Sequence, residues 1–172
     1  LVGKIHDRFL EKYHDPMAKH TQRSLNILCV RLVFCLYAED AGLFGAKDAF
    51  SQYLAQYEPK DIRRALIDLF KVLDTPYEER PDLYLSEELE AFPYVNGGLF
   101  QDENIVIPKI TETIKQTLLE SAQFDWSDIS PAIFGAVFES TLNPETRRSG
   151  GMHYTSIENI HKVIDPLFLD DL

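Results

Sequence analysis

Sulfur, glycine and positive charge are all scarce in this chain. Its 172 residues include two cysteines, two methionines, one tryptophan and eight glycines. Cys29 and Cys35 stand six positions apart in one apolar stretch. On a helix that is about 9 Å along the axis, beyond the reach of a disulfide. No disulfide framework is available, and both thiols read as small buried hydrophobes of a reducing compartment.

Long apolar runs are missing as well. The richest window, Leu25 to Ala38, has 12 apolar residues in 14 and is broken by Asn26 and Arg31. It is too short for a bilayer span, and a central arginine makes spanning costlier. No basic segment precedes an apolar one at the start, so no signal peptide is expected and the reading is cytoplasmic, with no membrane partner. The first residue is Leu1, which suggests an excerpt of a longer chain.

Lys plus Arg is 17 against 28 for Asp plus Glu, a formal charge of −11. The deficit is local: residues 1–86 carry −1 and residues 87–172 carry −10. Nucleic-acid affinity rests mainly on cations that neutralise phosphates, so this segment is not expected to grip DNA by itself.

Several catalytic signatures are absent. His6, His14 and His20 have no HExxH or i,i+4 partner and no CxxC pair exists, so no metal site is expected. No GxSxG elbow, GxGxxG loop or phosphate-binding GxxxxGK[ST] loop occurs. A two-carboxylate-and-lysine nuclease site needs its Pro-Asp first, but Glu58-Pro59-Lys60 precedes Pro81-Asp82.

What is present is helical patterning. Apolar residues cover nearly all sides of a helix predicted over Ala18 to Gly42, which marks it as a central buried element. Gly42 or Gly45 is the natural stop. Further helices are predicted over Val2 to His14, Ala49 to Tyr57 and Pro59 to Asp74. The last of these has Pro59 at its start, Asp61 in the first turn and a stripe of Ile62, Leu66, Leu69, Phe70 and Leu73. Thr75 to Pro81 reads as a connection, and Asp82 to Ala91 as a short helix capped by Ser86.

Phe92 to Lys109 changes texture, with an Asn96-Gly97 turn signal and the β-branched run Ile105 to Ile107, and reads as a small hairpin-like excursion or a loop. Helices resume at Ile110 to Ser121, Pro131 to Leu142 and Ser156 to Leu169. The fold class is all-α, a mainly helical bundle with that one excursion near 92–109. Among the charges, Arg31, Glu39 and Asp40 read as a satisfied polar network at the end of the central helix. The adjacent Arg147 and Arg148 are the candidates for phosphate contact in the acidic half. The loop that holds them leads to His153-Tyr154-Thr155-Ser156, where a helix N-terminus favours an anionic group.

Three stretches carry a family resemblance. RLVFCLYAEDAGLF at Arg31 to Phe44, FPYVNGGLF at Phe92 to Phe100, and the ending IFGAVFESTLNPETRRSGGMHYTSIENIHKVIDPLFLDDL stand in the order found in the MmeI-type bifunctional restriction-modification enzymes, which this chain resembles. In that family one polypeptide carries a nuclease, a helical spacer, an adenine-specific DNA methyltransferase and a target-recognition domain. The resemblance implies a helical spacer over 1–142, followed at 143–172 by the loop and first helix of a truncated methyltransferase domain. It also implies that Tyr154 and Thr155 lie near the methionine end of S-adenosylmethionine, with Ser156 opening the helix where many relatives have Pro. The implied partners are the nuclease and methyltransferase domains of the same polypeptide, and duplex DNA through the parent protein.

The methyltransferase glycine loop and the [DN]PP[FYW] tetrapeptide that grips a flipped adenine are not in these residues. The fragment alone is therefore expected to be non-catalytic and not to bind the cofactor tightly. A stand-alone helical interaction module with an acidic docking surface is the competing reading.

Overall fold

The apolar window becomes the axis of the fold. In the computed structural model, residues 2–95, 99–101 and 104–127 are described. They form helices α1 (Val2–Leu10), α2 (Lys19–Asp40), α3 (Ala49–Ala55), α4 (Pro59–Leu73), α5 (Glu87–Glu90) and α6 (Glu112–Ser121), with a 3-10 segment at Tyr77–Leu83 between α4 and α5. No strand occurs among the described residues, so the all-α class holds there. The helices expected at Pro131 to Leu142 and Ser156 to Leu169 lie outside the described residues, as does the division expected at 142/143.

Every residue of α2 from Leu28 to Glu39 is buried, more than three turns covered on all sides. A helix apolar all round needs such a jacket. α1 packs against α2 and α6, α3 against α2 and α6, and α4 beside α5. The stripe read on α4 is buried at Ile62, Leu66, Leu69, Phe70 and Leu73. Cys29 and Cys35 are free thiols inside the core.

Local chemistry ends the central helix where the sequence suggested, whereas the helix expected over Val2 to His14 stops at Leu10 and that over Asp82 to Ala91 shrinks to Glu87–Glu90. Gly42 takes φ +81°, a left-handed conformation that lets Leu43 N–H reach the carbonyl of Ala38 at 2.9 Å and Gly42 N–H that of Glu39 at 3.4 Å. This is the paired bond of a Schellman stop. Ser86 Oγ accepts from Leu89 N–H to cap α5, and Thr111 Oγ1 accepts from Ile114 N–H to cap α6. The predicted connection at Thr75 to Pro81 winds further than expected, into the 3-10 segment.

Of the two readings of 92–109, the described residues take the loop. No ladder forms because side chains of α2, α4 and the turn after α1 take the backbone bonds that a second strand would. Ser24 Oγ accepts from Val106 N–H at 2.9 Å, Tyr13 Oη donates to Val106 C=O at 2.6 Å, and Arg63 Nε donates to Ile107 C=O at 2.7 Å. Phe92 and Phe100 then enter the core edge-on: Phe92 against Phe44 at 5.2 Å and Tyr53 at 5.7 Å, Phe100 against Phe34 at 5.9 Å. Such edge-to-face pairs stabilise beyond area burial by roughly 0.5–1.5 kcal/mol each.

Candidate functional site

Charged groups are rarely buried unless partnered, so those inside this core mark the positions under tightest constraint. Arg31 and Arg80 are each 2% exposed. Arg31, midway along α2, donates from Nε to Leu99 C=O at 3.0 Å, and its guanidinium lies 5.2 Å from the Phe70 ring centre and 5.5 Å from that of Phe100. One cation thus joins α2, α4 and the loop.

Arg80 does the same for the end of α4. It donates to Thr75 C=O at 3.1 Å, Val72 C=O at 3.1 Å, Phe92 C=O at 2.7 Å and Glu90 C=O at 3.3 Å, and its guanidinium stacks on Tyr77 at 4.6 Å. Four carbonyl dipoles solvate the charge in place of water. Val72 C=O is among the last carbonyls of a helix, which have no intrahelical partner. The planar fork of guanidinium donors is what reaches four directions at once.

At the carboxyl end of α2 the network is acidic. Glu39, 3% exposed, accepts through Oε2 from Ser51 N–H at 2.9 Å and from Ser51 Oγ at 3.3 Å. Asp40 Oδ2 accepts from Trp126 N–H at 2.9 Å, and Trp126 Nε1 donates back to Ser121 C=O at 2.9 Å. The last turn of α2 is therefore fastened to the first turn of α3 and to the segment that follows α6. The satisfied network read from the sequence for Arg31, Glu39 and Asp40 is present only in part: each has a partner, but Arg31 bonds to Leu99, Glu39 to Ser51 and Asp40 to Trp126, and Oε1 of Glu39 is left without one.

Asp48 precedes α3 at φ 57° and makes no capping bond of its own. Its carboxylate instead joins those of Glu39 and Asp40, the three offering oxygens within 4.8 Å of one another. Burial pushes the Glu39 carboxyl up to about 7; the Ser51 bonds oppose that rise, and the charges of Asp40 and Asp48 add to it. Burial likewise raises Asp40, against the pull of the Trp126 N–H. Asp40 and Asp48 border an open hollow of about 750 Å³ together with Lys47, Gln123 and Asp125.

Sequence reasoning singled out Glu39 and Asp40 but not Asp48 or Arg80. A search for histidine and cysteine spacings is blind to carboxylates eight positions apart, which meet here only because the chain reverses through Gly42 and Gly45, both at positive φ. The one signal for Arg80 was a lone arginine between Pro76 and Pro81. Tyr154, Thr155, Ser156, Arg147 and Arg148 lie outside the described residues. Among the described residues no helix is long and apolar enough to cross a membrane.

Residues 23–100, which hold most of α2, all of α3 to α5 and the buried Arg31, Glu39 and Arg80, match the model of the MmeI helicase spacer domain. DNA methyltransferase A of Bacillus subtilis is 36% identical over 177 residues, covering 98% of this chain and 20% of that protein. A putative type II restriction enzyme and methyltransferase of Methanocaldococcus jannaschii is 27% identical over 157 residues, covering 77% of this chain and 13% of its own length. Among solved structures, the Type IIL restriction-modification enzyme MmeI in complex with DNA superimposes with a TM-score of 0.69 at 40% identity, over 99% of this chain and 22% of that one. The chain therefore spans about a fifth or less of the length of these relatives.

Proposed function

From the match of residues 23–100 to the MmeI helicase spacer domain we propose that the chain is the helical connector of a larger restriction-modification protein. In that protein it holds a nuclease at a fixed offset from an S-adenosylmethionine-dependent adenine methyltransferase. The observation that carries this is the asymmetry of coverage: nearly all of this chain aligns, yet with only a fifth of its relatives.

The physical logic is stiffness. A Gly/Ser linker samples a range of end-to-end distances, whereas a packed bundle transmits one. Arg31 and Arg80 each tie separate elements, and Asp40 fastens the central helix to the segment after α6. Coupling between a binding event and cleavage then has a rigid path to act through.

On this reading residues 1–142 are the spacer and 143–172 open the methyltransferase domain. Tyr154, Thr155 and Ser156 line the methionine end of the cofactor, and Arg147 and Arg148 face DNA phosphate. These residues alone lack the glycine loop and the adenine-gripping tetrapeptide, so they bind and methylate only as part of the whole.

The test uses the longer protein. Isothermal titration with S-adenosylmethionine should show affinity falling about tenfold or more for Thr155→Val, which removes one hydroxyl at constant shape. Unchanged affinity would reject the assignment of 143–172 to the cofactor site.

A further inference from the structure

The acidic corner at the end of α2 carries donor chemistry that a connector does not need. Glu39, Asp40 and Asp48 bring carboxylate oxygens within 4.8 Å of one another at the carboxyl end of a 22-residue helix. A helix end of that polarity is itself partially negative, and the last turn of α2 has no basic residue to complement it. Asp125, on the rim of the same hollow, adds to the negative field. Lys47 also borders the hollow, with its side chain exposed.

A second observation is independent of the clustering. Ser51 satisfies Oε2 of Glu39, but Oε1 is buried without a hydrogen-bond partner, the one such side-chain atom among the described residues. An orphaned buried acceptor forfeits its hydration with no return. A cation would both meet Oε1 and offset the repulsion among three carboxylates.

We infer that Glu39, Asp40 and Asp48 form a binding site for a hard divalent cation of calcium size. An all-oxygen donor set selects hard cations over zinc or copper, which favour imidazole and thiolate. Calcium takes several protein carboxylates in flexible geometry, whereas magnesium keeps much of its water and is usually held by one or two. Three carboxylates with oxygens within 4.8 Å of one another suit calcium. Its ligands come from both sides of the turn at Gly42 and Gly45, and Asp40 also holds Trp126. A bound ion therefore braces α2, α3 and the segment after α6 against one another.

The test titrates CaCl2 and MgCl2 into the 172-residue chain, freed of metal with a chelator, by calorimetry and thermal unfolding. The expected result is one calcium ion per chain, bound more tightly than magnesium. At about 100-fold excess over Kd, Tm should rise by about 5–10 °C. Glu39→Gln and Asp48→Asn should each weaken calcium binding by about tenfold or more. Without cation, both variants should melt at or above the parent, because a repelling charge is gone; loss of binding then cannot be laid to misfolding. Asp48 caps nothing, so its variant decides the matter even if Glu39→Gln is poorly folded. Absence of calcium binding, equal affinity in the variants, or tighter magnesium binding would overturn the assignment.

Discussion

Arg80 concentrates more of the fold's connectivity than any sequence pattern around it would suggest. Replacing it with leucine keeps an apolar stem but removes the guanidinium donors from four carbonyls around the ends of α4 and α5, of which that of Val72 keeps Thr75 N–H at 3.0 Å and the other three lose their donor. The expected loss is about 3 kcal/mol or more in urea unfolding, and lysine should restore little of it, since a single ammonium cannot span four acceptors. A loss under about 1 kcal/mol would mean the carbonyls find other partners. Arg31 and Glu39 were legible because they interrupt an apolar helix, where an unpaired charge is costly. Arg80 was not, since the carbonyls around it come from residues 72 to 92 and meet only once α4 and α5 have docked.

Among elements, the helices were the readable part. Periodicity and stop signals placed α2 and α4 to within two residues at each end, because Pro59 at the start of α4 and the left-handed Gly42 after α2 act locally. The 92–109 stretch was harder. Its β-branched run Ile105 to Ile107 signals an extended backbone, but whether that backbone pairs with a strand or with side chains depends on what the tertiary fold presents to it. Here it presents Ser24, Tyr13 and Arg63.

The bonds between elements also make a pH prediction. Tyr13 donates to Val106 C=O and Tyr53 to Ala65 C=O, and burial raises both hydroxyls well above their ordinary 10.0, with the Cys29 thiol pushed up to about 12. The unfolded chain releases these protons near their ordinary values while the native chain keeps them. Unfolding thus releases protons in this range, so stability is fully present well below pH 9, begins to fall as the thiol's ordinary 9.0 is passed and falls further above the tyrosines' 10.0. Urea midpoints should fall steadily above pH 10, and Tyr13→Phe should flatten the slope; an unchanged slope in that variant would remove Tyr13 from the account.

At the scale of the whole molecule, the −11 charge acquires a location and a use. Most of it lies after residue 86 in the sequence, and three of the earlier carboxylates are drawn together at the end of α2. A body with this charge is poorly suited to hold DNA itself. It is well suited to set a distance between parts that do.

That claim is tested most directly by mapping cleavage positions in the longer restriction-modification protein, before and after residues 23–100 are exchanged for a Gly/Ser segment that spans the same distance. Methylation serves as the control that the methyltransferase still folds. With the bundle in place, cuts are expected at one fixed offset from the recognition site. With the flexible segment they should scatter over many positions or disappear while methylation persists. Cleavage at the same single offset through the flexible segment would contradict the role of this bundle as the element that sets the distance.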